Sequence, residues 1–357
     1  MKDVHGGNIW EASARAGLAL DEIIDFSASI NPLGIARSAA DAVKSGLSLT
    51  GPYPDPDSKA LVAAISEGHG VEVPHILAGN GSTEFIFLLP RILKPKKALI
   101  AEPAFSEYRA ALSLGGCRVD SVTARRSAGF SLDLSRLDVM LKCGYDIFIL
   151  ANPANPTGVV LEKQAVLEVA RLCARHSTTL VVDEAFADFC EGVSIKAEAG
   201  RLKNTIVLRS MTKFFSMAGL RLGFMVSNPR LIKAFAKEKP PWSVNTLASL
   251  AGAAALRDNR YAEKTLRWLS IERPALFEGM RAIKGITPYP SAANYIMARI
   301  ERPQIDAPAL RDALFRKKIL IRELAAFRGL GRSYLRVAVR SAVDNRLLIE
   351  AMKEALA

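Results

Sequence analysis

The chain has 357 residues, of which half are hydrophobic and 24% are charged, a composition typical of globular proteins. Its formal net charge is +12, which suits nucleic acid or anionic small molecules. No nucleic-acid-binding motif and no long basic run accompany that charge. The longest apolar stretch, residues 247–256, is far too short to span a bilayer. We therefore expect a soluble cytoplasmic protein that binds neither nucleic acid nor membranes.

The N-terminal residues lack the apolar core of a secretory signal peptide. The four cysteines stand far apart in apolar surroundings and match no metal-ligand spacing. These cysteines are Cys117, Cys143, Cys173 and Cys190. We expect buried thiols in a reducing compartment, and no metal site.

Between about residues 58 and 230, short apolar runs alternate with helical patterns. The runs are continuous, as expected for strands buried on both faces of a sheet. We predict strands at residues 98–101, 147–151, 179–182 and 205–208, with helices such as 105–114 and 163–175 between them. This alternation indicates a mostly parallel α/β sheet.

The C-terminal part has a different pattern. We predict a long helix over residues 244–269, strands at 292–300 and 335–339, and a closing helix over 342–356. The predicted organisation is an N-terminal arm over 1–43 that contributes to the site, a large domain over 44–272 and a small α+β domain over 273–357.

Polar residues follow the predicted strands, where ligands of parallel sheets bind. Lys213 lies in a mostly apolar stretch, and it is either a surface cation or an amine that forms Schiff bases. Asp183 directly follows an apolar run. Its carboxylate can cap a helix, or it can hold a pyridine nitrogen protonated. Taken alone, each residue favours the structural role.

A second group of residues suits a phosphate. The sequence GNGST at 79–83 precedes a helical segment, and it offers backbone N–H groups and two hydroxyls at a helix start. A glycine-rich turn alone is weak evidence. Ser210 and Arg221 can add contacts to the phosphate, and Phe105 can lie flat against a ring.

The ordered motifs GNGSTE, EPAF, NPANPTG, DEAF, SMTK and GLRLGF resemble those of the fold-type I pyridoxal-phosphate enzymes, in their histidinol-phosphate aminotransferase branch. The resemblance implies pyridoxal 5′-phosphate as cofactor, with Lys213 forming the covalent link. It implies Asp183 on the pyridine nitrogen, Asn155 on O3′ and Phe105 stacked on the ring. The phosphate ligands that it implies are Gly81, Ser82, Thr83, Ser210 and Arg221.

One position departs from the family pattern. Many of these aminotransferases carry tyrosine three residues after the aspartate, where it donates to O3′. Here the residue is Phe186, which has no hydroxyl. The resemblance then implies that Asn155 holds O3′ alone beside this ring.

The ends of the chain are similar to a decarboxylase branch of the same family that acts on a phosphorylated amino acid. The similar segments are HGGNIWEA at 5–12, DFSASINPLG at 25–34, PWSVN at 241–245, SAANYIMAR at 291–299, ILIRE at 319–323 and YLRVAVRS at 334–341. This resemblance implies that Arg336 meets the substrate carboxylate. The residues implied around the substrate phosphate are Arg322, His5 and Asn31, with Asn8 as a further donor.

The resemblance also implies a homodimer in which Tyr53 reaches the partner's site. Without the family, these polar residues would be assigned to turns and solvated surface. Transamination of histidinol phosphate stays open, because the orientation of the bonds at Cα decides the reaction. The identity of the phosphorylated amino acid stays open too.

A serine hydrolase is the rival class of enzyme. Residues 210–213 match the SxxK pattern of penicillin-binding proteins, and 243–245 match its SxN partner. The third element, K-[ST]-G, does not follow them in the sequence. The sequence therefore disfavours an acyl-enzyme mechanism.

Overall fold

The computed structural model describes residues 6–357, so the predicted ligand His5 lies outside the described residues. The strands form three sheets of two, four and seven strands, which confirms the predicted α/β class. In chain order the strands are β1 Ile24–Asp25, β2 Ile76–Gly79, β3 Lys97–Glu102, β4 Arg118–Thr123, β5 Ile147–Ala151, β6 Thr179–Asp183, β7 Thr205–Ser210, β8 Gly223–Ser227, β9 Ile286–Pro288, β10 Tyr295–Ile300, β11 Ile319–Leu320, β12 Arg322–Glu323 and β13 Tyr334–Ala338.

Helices separate most of the strands, and many begin at a side-chain cap of the expected kind. Asn228, Asn245 and Ser341 each accept a hydrogen bond from a backbone N–H in the first turn of the helix that follows. In chain order the helices are α1 Ile9–Ala16, α2 Arg37–Ser45, α3 Lys59–His69, α4 Ser82–Leu93, α5 Ser106–Leu114, α6 Leu134–Leu141, α7 Lys163–Arg175, α8 Lys196–Ala199, α9 Pro229–Glu238, α10 Thr246–Leu256, α11 Asn259–Arg281, α12 Ala307–Phe315 and α13 Ala342–Ala355.

The seven-stranded sheet has the order β2-β8-β7-β6-β5-β3-β4. All neighbours are parallel except β8, which is antiparallel to β2 and β7. The four predicted strands correspond to β3, β5, β6 and β7, so these predictions are confirmed. Their continuous apolar character follows from burial on both faces.

Alternate residues of β5 pack into different hydrophobic cores, one on each face of the sheet. Ile147 and Ile149 of β5 pack with residues of α4, α5 and α9. Phe148 and Leu150 pack with residues of α3, α7 and α10 on the other face. The sheet is thus covered by helices on both sides, which leaves the carboxyl ends of its strands as the place for a site.

The four-stranded sheet is antiparallel, with the order β12-β13-β10-β9. It contains the strands predicted at 292–300 and 335–339, and α13 matches the predicted closing helix. The short strand β1 pairs in parallel with β11, which joins the N-terminal segment to this C-terminal part. This pairing brings the residues before α2 close to those of β12 and β13.

The prediction of a single helix over 244–269 is wrong. Two helices, α10 and α11, are separated at Arg257 and Asp258. Asp258 caps α11 by accepting a hydrogen bond from the N–H of Tyr261, 3.0 Å away. A capping aspartate starts a new helix because it satisfies an N–H group that has no partner in the first turn.

The prediction of four buried thiols is also partly wrong. Cys117 and Cys173 are buried, whereas Cys143 is exposed and Cys190 is partly exposed. Cys143 lies in the turn after α6, where an apolar-looking sequence reaches the surface. Among residues 6–357, no helix combines the length and the apolar character that crossing a membrane requires.

Candidate active site

A cavity of about 660 Å³ opens at the carboxyl ends of β5, β6 and β7. Its walls come from the loops after these strands, the start of α4, the segment after β1, and the strands β12 and β13. The predicted site residues that line it are Ser82, Thr83, Phe105, Asn155, Asp183, Phe186, Lys213, Arg221, Arg322 and Arg336. Residues scattered over 250 positions of sequence therefore meet in one cavity, as parallel sheets allow.

Lys213 follows β7 and points its amine into this cavity. Its Nζ donates to Ser210 Oγ at 3.1 Å, and Ser210 Oγ lies 2.7 Å from Thr212 Oγ1. Burial lowers the pKa of Lys213 to about 8, although the nearby Asp183 carboxylate opposes the decrease. A lysine with this pKa is partly neutral at physiological pH, so its amine can act as a nucleophile.

Asp183 is the last residue of β6, and it is 6% exposed. Its Oδ2 accepts from the Tyr108 hydroxyl at 2.5 Å, and its Oδ1 accepts from the Ala185 N–H at 2.9 Å. Burial raises the pKa of Asp183, and the hydrogen bond from Tyr108 acts against that increase. A buried carboxylate with fixed donors suits a cationic partner such as a protonated ring nitrogen.

The N-terminus of α4 forms the anion end of the cavity. Gly81 precedes the helix with φ 76°, and no side chain in the described part of the chain caps the helix. A Cβ on Gly81 would lie 2.8 Å from Arg221 Nη2, so glycine lets the guanidinium lie close to this backbone. Free N–H groups, the hydroxyls of Ser82 and Thr83 and this cation together fit a phosphate.

Arg336 and Asn155 are joined across the cavity. Arg336 Nη1 donates to Asn155 Oδ1 at 2.5 Å, and Arg336 Nη2 donates to the Ser27 carbonyl at 2.8 Å. Because Oδ1 of Asn155 is engaged, its Nδ2 is the group that can donate to a bound ring oxygen. Both acceptors of Arg336 are neutral, so its charge is not balanced by them.

Arg322 lies directly opposite Arg336, since the two residues are register partners in β12 and β13. Both side chains are buried, with 6% and 7% exposure. Burial lowers the pKa of Arg336 to about 10, and the charge of Arg322 adds to the decrease. Like charges opposite each other in a sheet destabilise it, so this pair is suited to anions.

Phe186, the ring without a hydroxyl that follows Asp183, Glu184 and Ala185, lines the cavity. It lies edge-on to Tyr295 with ring centroids 4.9 Å apart, and its centroid is 5.6 Å from Lys213 Nζ. The Tyr295 hydroxyl does not replace the missing one, because it donates to the Ala154 carbonyl at 2.8 Å.

Two predicted substrate ligands have polar groups that are hydrogen-bonded within the protein. Asn31 is 1% exposed, and its Nδ2 contacts the Phe214 carbonyl, Tyr261 Oη and Thr265 Oγ1 at 2.8–2.9 Å. The N–H groups of its amide are therefore hydrogen-bonded within the protein and do not point to a ligand. Asn8 caps α1, since its Oδ1 accepts from the Glu11 N–H at 3.2 Å. It lines a separate cavity of about 70 Å³ beside Arg322.

Tyr53 lies away from the large cavity. It is 79% exposed and stacks on Trp242 with ring centroids 4.6 Å apart. Its predicted role in a partner's site stays a prediction.

Several residues that the sequence alone did not single out also line the cavity, among them Ser27, Tyr108 and Thr212. Tyr108 carried a weak signal, because it lies three residues after Phe105 and hence on the same face of α5. Ser27 carried none, since its importance arises from its carbonyl contact with Arg336.

A separate cluster of charges surrounds a buried arginine of β7. Arg209 is fully buried, and it donates to Glu184 Oε2 at 3.0 Å and to Asp188 Oδ1 and Glu191 Oε2 at 2.7 Å. Burial lowers the pKa of Arg209, but Asp188 and Glu184 outweigh that effect and raise it. Here a cation is neutralised by the protein's own carboxylates, so the cluster is structural.

A reactive lysine, a buried carboxylate and a phosphate-holding helix start define the class of enzymes that use a phosphorylated, ring-containing cofactor. The sequence matches the family model described as aminotransferase class I and II over residues 21–354, and the chain belongs to this family. Its fold is that of the fold-type I pyridoxal-phosphate enzymes, as the resemblance of the motifs implied.

Among curated relatives, a threonine-phosphate decarboxylase from Salmonella typhimurium is 39% identical, covering 100% of this chain and 97% of that protein. A histidinol-phosphate aminotransferase from Nitratidesulfovibrio vulgaris is 35% identical, covering 99% of this chain and 93% of the other. A protein from Leptospira interrogans named adenosylcobalamin biosynthesis bifunctional protein CobDQ is 32% identical over 97% of this chain, which spans 40% of it.

Among solved structures, that of L-threonine-O-3-phosphate decarboxylase from Porphyromonas gingivalis superposes with a TM-score of 0.83 and 26% identity. The match covers 94% of this chain and 99% of the other.

Proposed function

We propose that this protein is a pyridoxal-phosphate-dependent decarboxylase that converts L-threonine O-3-phosphate to (R)-1-amino-2-propanol phosphate and CO2 for cobalamin side-chain synthesis. The observation that carries the proposal is the pair of opposed, buried arginines, Arg322 and Arg336, at the edge of a cavity that also holds Lys213. A single substrate that bears both a phosphate and a carboxylate supplies one anion for each arginine. The name and the full-length similarity of the Salmonella relative support this choice.

The residues fit pyridoxal 5′-phosphate at both of its ends. Gly81, Ser82, Thr83, Ser210 and Arg221 would hold the phosphate. Asp183 would pair with the ring nitrogen, Asn155 Nδ2 would donate to the ring oxygen, Phe105 would stack on the ring, and Lys213 would form the covalent link. When bound, the cofactor supplies an electron-withdrawing ring that stabilises negative charge at the substrate Cα.

The arginines then orient the substrate. Arg336 binds the carboxylate as a fork, and its own position is fixed by its bonds to Asn155 and Ser27. Arg322, on the neighbouring strand β12, binds the substrate phosphate. Two charged anchors on rigid strands fix the orientation of the carboxylate relative to the ring, which selects loss of CO2 over loss of a proton.

Lys213 has a second role in this proposal. After CO2 leaves, a proton must reach Cα rather than the cofactor, and the ammonium of Lys213 is the acid that delivers it. Burial keeps the pKa of this group at about 8, so Lys213 can both give and accept a proton near neutral pH. Asp183 would face the ring nitrogen with its carboxylate held by Tyr108 and Ala185.

The proposal includes a homodimer with shared active sites. Tyr53 and Trp242 form an exposed aromatic pair, and Leu47 and Leu49 nearby are exposed as well. Exposed apolar side chains of this kind favour a protein interface. We also propose the division into an arm over 1–43, a large domain over 44–272 and a small domain over 273–357. Light scattering after gel filtration measures the dimer.

The decisive experiment supplies the purified holoenzyme with L-threonine O-3-phosphate. We expect CO2 and aminopropanol phosphate in equal amounts. Transamination of histidinol phosphate with 2-oxoglutarate, without release of CO2, would overturn the proposal in favour of an aminotransferase. The Nitratidesulfovibrio relative is named for that activity.

L-serine O-phosphate is the matched competitor, because it lacks a single methyl group. A methyl group is worth about 1–3 kcal/mol of discrimination in a pocket. We expect its decarboxylation to have a kcat/KM lower by roughly tenfold or more. A higher value for serine phosphate would reassign the substrate while leaving the reaction type in place.

A further inference from the structure

Tyr108 is a buried tyrosine of α5 that does two things at the wall of the cavity. It is 2% exposed, and its ring meets Phe105 edge-on with centroids 5.7 Å apart. Its hydroxyl reaches across to β6 and donates to Asp183 Oδ2 at 2.5 Å. Burial and the Asp183 charge raise the pKa of Tyr108 well above its usual value, so it keeps its proton and acts as the donor.

We propose that Tyr108 is a positioning residue: its hydroxyl holds the Asp183 carboxylate in one orientation and keeps it ionised, ready for the cofactor's ring nitrogen. This inference rests on the proposed cofactor site but not on the choice of substrate or reaction. The N–H of Ala185 holds Oδ1 and Tyr108 holds Oδ2, so the carboxylate cannot rotate without losing both bonds. Each oxygen keeps a lone pair for a further donor.

The hydroxyl is needed because Asp183 is deeply buried. Burial raises the pKa of Asp183 and favours its neutral form, which cannot balance a ring cation. The bond from Tyr108, the charge of Lys213 and the Ala185 N–H all act in the opposite direction. Without the charge of Lys213, the Tyr108 hydroxyl and the Ala185 N–H would remain to stabilise the charged carboxylate.

The substitution Tyr108→Phe tests this role, since it removes the hydroxyl and keeps the ring against Phe105. We expect the dissociation constant of pyridoxal 5′-phosphate from the apoenzyme, measured by equilibrium dialysis, to rise roughly tenfold. In an Asp183→Asn background, which removes the charge that Tyr108 supports, we expect the same substitution to change the constant less than about twofold.

The double-mutant cycle separates positioning from packing. If Tyr108 served only the fold, Tyr108→Phe would weaken binding equally in both backgrounds, or in neither, and either result would overturn the proposal. Tyr145→Phe is the matched control, because Tyr145 is also a buried tyrosine that donates to a carboxylate, Asp120 Oδ2 at 3.0 Å, away from the cavity. We expect no change in cofactor binding there.

A spectroscopic readout supports the cycle. The visible absorption of the bound cofactor and its pH dependence respond to the charge on the ring nitrogen, so we expect Tyr108→Phe to shift both. An unshifted spectrum together with unchanged affinity would overturn the proposal. None of these measurements uses turnover, so failure of the decarboxylase proposal, seen as absent CO2 from the unsubstituted enzyme, is distinguishable.

Discussion

The molecule contains two regions in which arginines are buried, and they are built in opposite ways. Arg209 contacts three carboxylates and sits in a cluster closed by the protein itself. Arg336 donates to two neutral oxygens and has no ion pair within the described residues, while Arg322 lies opposite it. The carboxylates around Arg209 neutralise its charge, whereas the two neutral acceptors of Arg336 leave its charge for a ligand.

The difference shows why burial alone does not identify a functional arginine. Desolvating a guanidinium costs free energy, which its partners recover only if they carry the opposite charge. Arg209 recovers that cost on folding. Arg336 recovers it when an anion binds, and a site of this kind binds its ligand strongly because the arginine is already desolvated and oriented.

The largest effect that we expect concerns Lys213, the lysine whose amine points into the cavity. Lys213→Ala should reduce turnover by roughly 10⁴-fold or more, because no other amine can form the covalent link. The cofactor should stay loosely bound through its phosphate. Assays of CO2 release measure this loss of turnover, and Lys203→Ala, at an exposed lysine, is the control. Repeated turnovers by Lys213→Ala would refute the assignment.

The next largest effect should distinguish the two arginine regions directly. Arg336→Gln should lower kcat/KM about a thousandfold, since the substrate carboxylate would lose a desolvated charged partner. Its free energy of unfolding, from urea titration, should change little. Arg299→Gln on the neighbouring strand serves as control. Loss of stability with normal kcat/KM would instead make Arg336 structural.

The opposite pattern is expected for Arg209. Arg209→Gln leaves Glu184 and Asp188 buried without their cation, so the free energy of unfolding should fall by about 3–5 kcal/mol. Arg257→Gln is the matched control, because its ion pair with Glu67 is exposed and should cost about 1 kcal/mol or less. Equal losses in the two variants would contradict the distinction.

The smallest effect is a pH dependence. Only neutral Lys213 attacks the cofactor's aldehyde, and its pKa lies at about 8. The rate at which apoenzyme recombines with pyridoxal 5′-phosphate should therefore rise about tenfold per pH unit below the pKa and level off above it. Stopped-flow absorption between about pH 6 and 10 measures this rate. A rise that continues to pH 10 would mean that burial does not lower this pKa.

Much of the cavity could be predicted from the sequence because strand ends are local signals. Asp183 and Lys213 follow continuous apolar runs, and parallel strands bring such positions to one edge. The residues around the phosphate were predictable for a similar reason, since GNGST precedes a helix. The order of elements predicts where these residues lie, whereas their roles were implied by the resemblance of the motifs to the family.

The remaining features depend on long-range contacts that no local pattern encodes. Asn31 resembled a substrate ligand, but its amide bonds to Tyr261 and Thr265, which lie more than 200 positions later. Tyr108 was missed because its partner Asp183 is 75 residues away. The end of α10 was missed for a different reason, because its signal is local: Asp258 is a common capping residue that interrupts the apolar pattern.

The antiparallel strand β8 has a consequence for folding. It lies between β2 and β7, and a Cβ on its first residue, Gly223, would meet the Ser82 N–H nitrogen at 2.5 Å. The start of α4 and Arg221, far apart in sequence, come together only when this strand is in place. The phosphate-binding end of the cavity is thus complete only in the folded chain, so the cofactor binds folded chains alone. Its concentration in the cell therefore sets part of the stability of the sheet, because mass action favours the state that binds it.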